Sequence, residues 1–383
     1  MTLELSQLTE HVKTMGETVA QRHRTRADLI SLARRWLTDY ADRAEALRVR
    51  ARAEGVAVPA ESALDAVHAL PEMPERYTVV GADGSQIQPD RHGAALYYVI
   101  NIGSLVYRHG SGQAPEARSE AMLGFREDDL YENGTPVAGN LLDVRRDLAE
   151  LRRLADACES EQPGPVIALA DGPITLWVLK DLPGGARKAK VTAHLDQLDR
   201  IQRAGGIVGG FVSRPGSKEV TRLLHLAHTL SDDAKKSELP NPLELLADRA
   251  VFATLPAGAR SALFISPKEI NEQYYAPRGH EAHFFYVNLA KGESDPVVAR
   301  VEVPAWVARE EQGVDIIHAV VVAQARIAGD YPYVLARADE LAYVSGRERA
   351  ALESMVLSSL MSAGVHSSLS PKAHYKRLTR QGF

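Results

Sequence analysis

Four carboxylates stand where chemistry is most readily built. Asp83 and Asp171 each follow a short apolar run that reads as a strand, at residues 77–81 and 166–170, and each is followed by glycine. In an open α/β sheet the C-terminal ends of strands are where sites are assembled. A glycine beside the acid allows a sharp turn or the close approach of a ligand, although Asp-Gly is also an ordinary turn dipeptide. Glu150 lies on an amphipathic helix, at the border of the stripe formed by Leu141, Val144, Leu148, Leu151 and Leu154. Asp339 supplies a fourth acid on a late helix. A lone Glu on such a helix is ordinarily solvated, so its weight comes from chain order: strand acid, helix acid, strand acid, helix acid. Converging carboxylates repel one another unless a cation joins them. Mg²⁺ and Mn²⁺ are hard ions that prefer these oxygens, and two of them roughly 3.5–4 Å apart can serve phosphodiester hydrolysis.

The elements that must position these acids alternate. Residues 1–70 read as helix, with Leu5, Leu8, Val12 and Met15, then Leu29, Leu32, Trp36 and Tyr40, at intervals of three and four. Pro59, Pro71 and Pro74 close that region. Strands are expected at 77–81, 94–107, 166–170, 206–212, 262–265, 283–289 and 298–303. Helices are expected at 141–157, 192–204, 219–230, 243–252, 313–328 and 335–360. This alternation predicts an α/β class, a mixed sheet with helices on its faces. The expected division is an N-terminal helical region, 1–70, for partner docking or dimerisation, and an α/β domain, 71–383, that carries the four acids.

Composition removes several alternatives. The 383 residues are 45% hydrophobic and 25% charged, enough for a sizeable core and unlike a disordered chain. A net charge of −5 argues against a general nucleic-acid coat, so contacts with DNA would need local basic patches. Cys158, the only cysteine, excludes a disulfide framework and a cysteine zinc site and fits a reducing cytoplasm. Neither a signal peptide nor a bilayer-length apolar stretch is visible, so no membrane partner is expected. There is no phosphate loop, Rossmann glycine fingerprint or nucleophile elbow. His280-Glu281-Ala282-His283 has one residue too few between its histidines for a zinc protease.

The order of acids is that of ribonuclease H-like nucleases, and the sequence resembles the NurA family of DNA-repair nucleases. The stretches that carry the resemblance are 79–86 (VVGADGSQ), Arg146 with Glu150, 168–172 (ALADG), 210–214 (GFVSR) and 329–335 (GDYPYVL). The resemblance implies a ribonuclease H-like core and a Mn²⁺- or Mg²⁺-dependent nuclease holding two ions. It also implies 5′-to-3′ trimming of DNA, cutting of single strands, a homodimer, and work with the hexameric translocating ATPase HerA in double-strand break resection. Asp83, Glu150 and Asp171 match family acids. At the fourth position many relatives carry His, where this sequence has Asp339. Glu120 is the reserve for Glu150.

Binding candidates lie around this set. Arg214 and Lys218, after the strand at 206–212, are candidates for a DNA phosphate. Tyr274 and Tyr275 with Arg278 are candidates for stacking on unpaired bases. The tail from Lys372 to Arg380 carries four cations and no acid, and nine Arg fall between Arg22 and Arg52 against four acids; both are basic segments of backbone-binding or solvated type. His92 and His109 read as structural. Two rival classes are an actin-like ATPase, for which the second phosphate loop is lacking, and a non-catalytic DNA clamp on the same fold.

Overall fold

The alternation takes shape in a computed structural model that describes residues 5–161, 164–176, 184–230, 240–292, 295–310 and 312–365. Helices α1 (Thr9–Asp39) and α2 (Ala44–Ala53) lead into strands β1 (Val58–Pro59), β2 (Val67–His68), β3 (Tyr77–Ile87), β4 (Tyr98–His109) and β5 (Glu116–Gly124). Next come α3 (Glu127–Leu130), β6 (Tyr131–Glu132), β7 (Thr135–Pro136), α4 (Asn140–Ser160), β8 (Val166–Asp171), α5 (Gly184–Arg203) and β9 (Ile207–Val212). Then follow α6 (Glu219–Leu230), α7 (Asp248–Val251), β10 (Arg260–Ser261), β11 (Phe264–Ile265), β12 (Ala282–Asn288) and β13 (Val298–Pro304). The described chain closes with α8 (Ala305–Arg309), α9 (Gly313–Ala328), α10 (Tyr333–Ala342) and α11 (Gly346–Ser362). No described helix is long and apolar enough to cross a membrane.

Two compact units result. The first gathers described residues of 1–71, 212–277 and 281–305; the second gathers those of 72–211, 278–280 and 306–383. This differs from the expected division at residue 70, because Trp36 and Leu47 share one core with Leu223, Phe252, Phe264 and Tyr286. In this first unit β11, β12 and β13 pair antiparallel, with β1 on β11. Every residue of β12 and β13 is buried, including Arg300 and Glu302, which pair at 2.8 Å.

The second unit holds the four acids. Its strands lie in the order β9-β8-β3-β4-β5, with β8 parallel to both β3 and β9, and β4 antiparallel to both β3 and β5. The chain makes a three-strand meander, crosses over through α4, and returns parallel to the first strand. That is the ribonuclease H-like arrangement the resemblance implies. Val166, Ile167, Ala168 and Leu169 of β8 are buried, as a strand between two parallel or antiparallel neighbours requires.

Several boundaries differ from expectation. The N-terminal helices end at Ala53, after which β1 and β2 join the first unit's sheet. Strand β3 does not stop before Asp83; it stays paired with β4 from Tyr77↔His109 to Ile87↔Val99. The expected helix 335–360 is two helices, parted at Ser345, whose side chain caps α11 by accepting from Glu348 N–H. Of the expected helix 243–252 only α7 forms. Strand β5 had no sequence signal, because residues 117–123 are exposed and lack apolar alternation.

Candidate active site

Register decides which side of the sheet each group faces. Asp83 is opposite Gly103, and Gly84 is opposite Ile102; opposed residues share a face and successive residues alternate. A Cβ on Gly103 would lie 2.2 Å from Ala338 O and 2.4 Å from Ala342 N, both in the backbone of α10. On Gly81 it would lie 2.8 Å from the Val334 carbonyl of the same helix. The face of Asp83 is thus the face of α10, seated backbone to backbone where side chains are missing. A Cβ on Gly84 would lie 2.6 Å from Glu150 Oε1 and 2.7 Å from Arg146 Cγ, so the other face belongs to α4. Gly84 is no turn residue: it leaves room for Glu150 to reach the strand. Gly172 does turn, with φ +98° directly after β8.

The acids sense one another. Burial raises Asp83 from 3.8 to about 6; the Gly84 N–H, 2.8 Å from Oδ1, opposes this, and the charges of Asp171 and Asp339 add to it. The side chains of Asp83 and Asp339 also interact directly, which raises Asp83 further. Asp171 is raised chiefly by burial and further by Asp339, against the hydrogen bond donated by the Tyr331 hydroxyl. Glu150, whose side chain is 14% exposed, is held well above the usual carboxylate range by burial, with Asp147, Asp83 and Asp171 adding and Arg146 opposing. Asp83, Asp171 and Asp339 thus act on one another, and Glu150 acts on Asp83 and Asp171 from the α4 side of the sheet. Glu120 does not join them; it is exposed on β5, where its charge acts on Arg153.

Neighbouring groups to which the sequence analysis gave no role, although both lie in the stretches of resemblance, shape the cluster. Arg146 Nε lies 3.1 Å from Glu150 Oε1 and its Nη2 2.9 Å from Asp147 Oδ1. Although burial opposes its charge, Glu150, Asp147 and Asp143 outweigh that and hold its pKa up. Tyr331 packs edge-on against Phe211, with centroids 5.4 Å apart. It follows Gly329 (φ 71°) and Asp330 (φ 74°), and the latter is a non-glycine in the left-handed region. Such strain persists where surroundings enforce it, often beside functional groups. Losing the hydroxyl in Tyr331→Phe removes a bond that lowers the Asp171 pKa. Asp171 then ionises at higher pH, so the acidic limb of any activity profile should move to higher pH. An unmoved limb would show that Tyr331 does not tune Asp171.

The donor set suits a hard divalent cation. Glu150 Oε1 is buried with only the Arg146 ion pair and no aligned hydrogen bond, and the remaining acids are carboxylates crowded enough to raise one another. Among the described residues no group of three or more His, Cys, Asp or Glu side chains is arranged to hold a metal ion. Asp83 Oδ1 is engaged by Gly84 and Glu150 by Arg146, so these side chains would have to move to close around one.

The remaining candidates fall elsewhere. Arg214 (exposed) and Lys218 (half-buried) lie on the β9–α6 segment, in the first unit. Tyr275 is fully buried, so it is a core residue and no stacking platform, and Arg278 is engaged by Asp196 at 3.0 Å and by Asp199. His280 pairs with Asp199 at 2.7 Å and accepts from Trp306 Nε1 at 3.1 Å, while His283 sits on β12. His109 stacks between Tyr77 and Tyr107. The basic tail from Lys372 to Arg380 lies outside the described residues.

An acid cluster on a sheet of this order defines the class, a ribonuclease H-like nuclease fold. A model of the NurA domain matches residues 77–344, and the chain belongs to the NurA family, a family of nucleases. Comparison with curated proteins finds no match. Among solved structures, the NurA nuclease from Sulfolobus solfataricus is 15% identical over 77% of this chain and 87% of that one, with a TM-score of 0.48. A NurA crystallised with manganese is 10% identical over 89% and 98%, TM-score 0.40. A NurA bound to dAMP and manganese is 11% identical over 91% and 96%, TM-score 0.39.

Proposed function

We propose that the chain is a divalent-metal-dependent DNA nuclease whose Asp83, Glu150, Asp171 and Asp339 hold two Mn²⁺ or Mg²⁺ ions. What supports this reading is the mutual repulsion among Asp83, Asp171 and Asp339, which Glu150 joins through Asp83 and Asp171, since crowded carboxylates are costly for a purely structural cluster. When bound, the ions supply Lewis-acid chemistry for in-line hydrolysis of a phosphodiester. The chain's own residues bind and orient. Asp83, Glu150, Asp171 and Asp339 would hold the ions, Tyr331 donates a hydrogen bond to Asp171, and Arg146 pairs with Glu150 beside the strand.

Family membership supports the finer parts of the proposal. These are 5′-to-3′ exonuclease and single-strand endonuclease activity in the cytoplasm, a homodimer, and action with a HerA-type ATPase at double-strand break ends. The first 70 residues are assigned to docking or dimer formation, and Arg214 and Lys218 to DNA phosphates. The second reading, a clamp subunit, has one observation in its favour: no finished coordination shell stands among the described residues.

The test is digestion of 5′- and 3′-labelled linear DNA in Mn²⁺, Mg²⁺ and EDTA, alone and with the partner ATPase. Metal-dependent cleavage with label lost first from the 5′ end is expected. Metal uptake with no cleavage, even with the ATPase, would establish the clamp instead.

A further inference from the structure

The last turn of α10 is tied to three successive strands. Ser85 Oγ of β3 donates to Ala342 O at 2.5 Å. Asn101 of β4 donates through Nδ2 to Leu341 O at 3.2 Å and to Ala342 O at 2.9 Å. Ser119 Oγ of β5 donates to Asn101 Oδ1 at 3.1 Å. Asn101 is only 8% exposed, and its neighbours Val99, Ile100, Ile102, Leu105 and Val106 on the same strand are buried apolar residues. An amide buried in such a strand is costly unless its hydrogen bonds are met. Here both N–H donors and the oxygen are used. Both main-chain partners are carbonyls, so the amide has one orientation, and the Ser119 hydroxyl fixes it.

Asp339 stands in the same turn as these carbonyls, and its own carbonyl accepts from Tyr343 N–H at 2.9 Å, where the helix stops. Gly103 gives α10 a flat seat without a side chain to stop sliding. The lateral grip comes from Asn101 and Ser85. We infer that Asn101 is a positioning residue that sets Asp339 against Asp83, an inference that rests on the acid cluster being the metal centre proposed above. The adjacent strand β5 enters the same chain of contacts through Ser119, which gives an exposed edge strand a part in placing Asp339.

The experiment is calorimetric titration of the full-length protein with Mn²⁺, at a temperature well below each variant's melting point. Asn101→Ala should weaken uptake by about 10-fold or more, the effect usual for groups that orient metal ligands. Ser119→Ala, at an exposed position, should weaken it by about 3-fold. In an Asp339→Asn background Asn101→Ala should add nothing, since both changes act through one ligand. Unchanged affinity in Asn101→Ala, or its full effect persisting on top of Asp339→Asn, would overturn the inference. If Asn101→Ala does not fold, Ser119→Ala decides, and unchanged affinity there overturns it. A wild-type protein that takes up no Mn²⁺ overturns the nuclease reading together with this one, a result distinct from normal uptake in every variant.

Discussion

Asp83→Asn should stop DNA cleavage and, in metal-free buffer at neutral pH, make the protein more stable than the wild type. The first effect follows from removing a charged ligand at the centre of the cluster and should be on the order of 10³-fold or more. The second follows from linkage. Asp83 ionises at about 6 in the folded protein against 3.8 ordinarily. Between those values the folded state binds more protons than the unfolded state, so this group lowers stability as pH rises through the window. The cost is absent below the lower value and complete above the upper one. Asparagine does not titrate, so its advantage should grow from pH 4.5 to 7 and then level off, at ~1–3 kcal/mol once partial exposure is allowed for. Thermal melts in EDTA across that range measure it. A gain that is equal at every pH would mean that Asp83 is not held high by its surroundings.

The second large effect is expected at Gly103. An alanine Cβ there would meet Ala338 O at 2.2 Å and Ala342 N at 2.4 Å. Neither is a side chain that can rotate away, so relief requires α10 to lift from β3 and β4. Overpacking of this kind costs ~3 kcal/mol or more when backbone must move. Asp339 moves with the helix, so Mn²⁺ uptake should weaken in parallel. Gly16→Ala is the control: nothing lies within 4 Å of its Cβ, and inside α1 the change should be neutral or stabilising by ~0.5–1 kcal/mol. Chemical denaturation compares them. Equal midpoints for the two variants would mean that α10 is not seated on Gly103.

How much of this was legible beforehand depended on the range of the interaction. The alternation of β8, α5, β9 and α6 shows in apolar runs and periodic stripes, because burial between neighbours is a local pattern. Asp171 could be placed at a strand end for the same reason. Asp83 was read as a strand end as well, and the error is instructive: the polar Asp83-Gly84-Ser85-Gln86 breaks the apolar run, yet the backbone stays paired to β4 throughout. Glu150 stood at the border of its stripe, which is where a helix residue must be to reach a sheet. Asp339 was visible only through the order of acids and the resemblance. Tyr331 shows only as part of the stretch of resemblance, with no role, and Asn101 and the seat at Gly103 have no signal, because each acts on a residue far away in sequence. Strand β5 was invisible because its outward residues are solvated on both faces.

The docking of α10 also bears on when the site comes into being. Ser85 and Ala342, which hold the helix to β3, are 257 residues apart in the chain. Contacts of such long range are late to form, since the loop between them must be closed first. During synthesis Asp83, Glu150 and Asp171 can take their places while the sheet and α4 assemble, with one face of β3 still bare. The fourth acid arrives only when α10 does, 257 residues beyond Ser85 at its Ala342 tether. A chain cut short before α10 therefore carries Asp83, Glu150 and Asp171 on a sheet that lacks this helix and its Asp339.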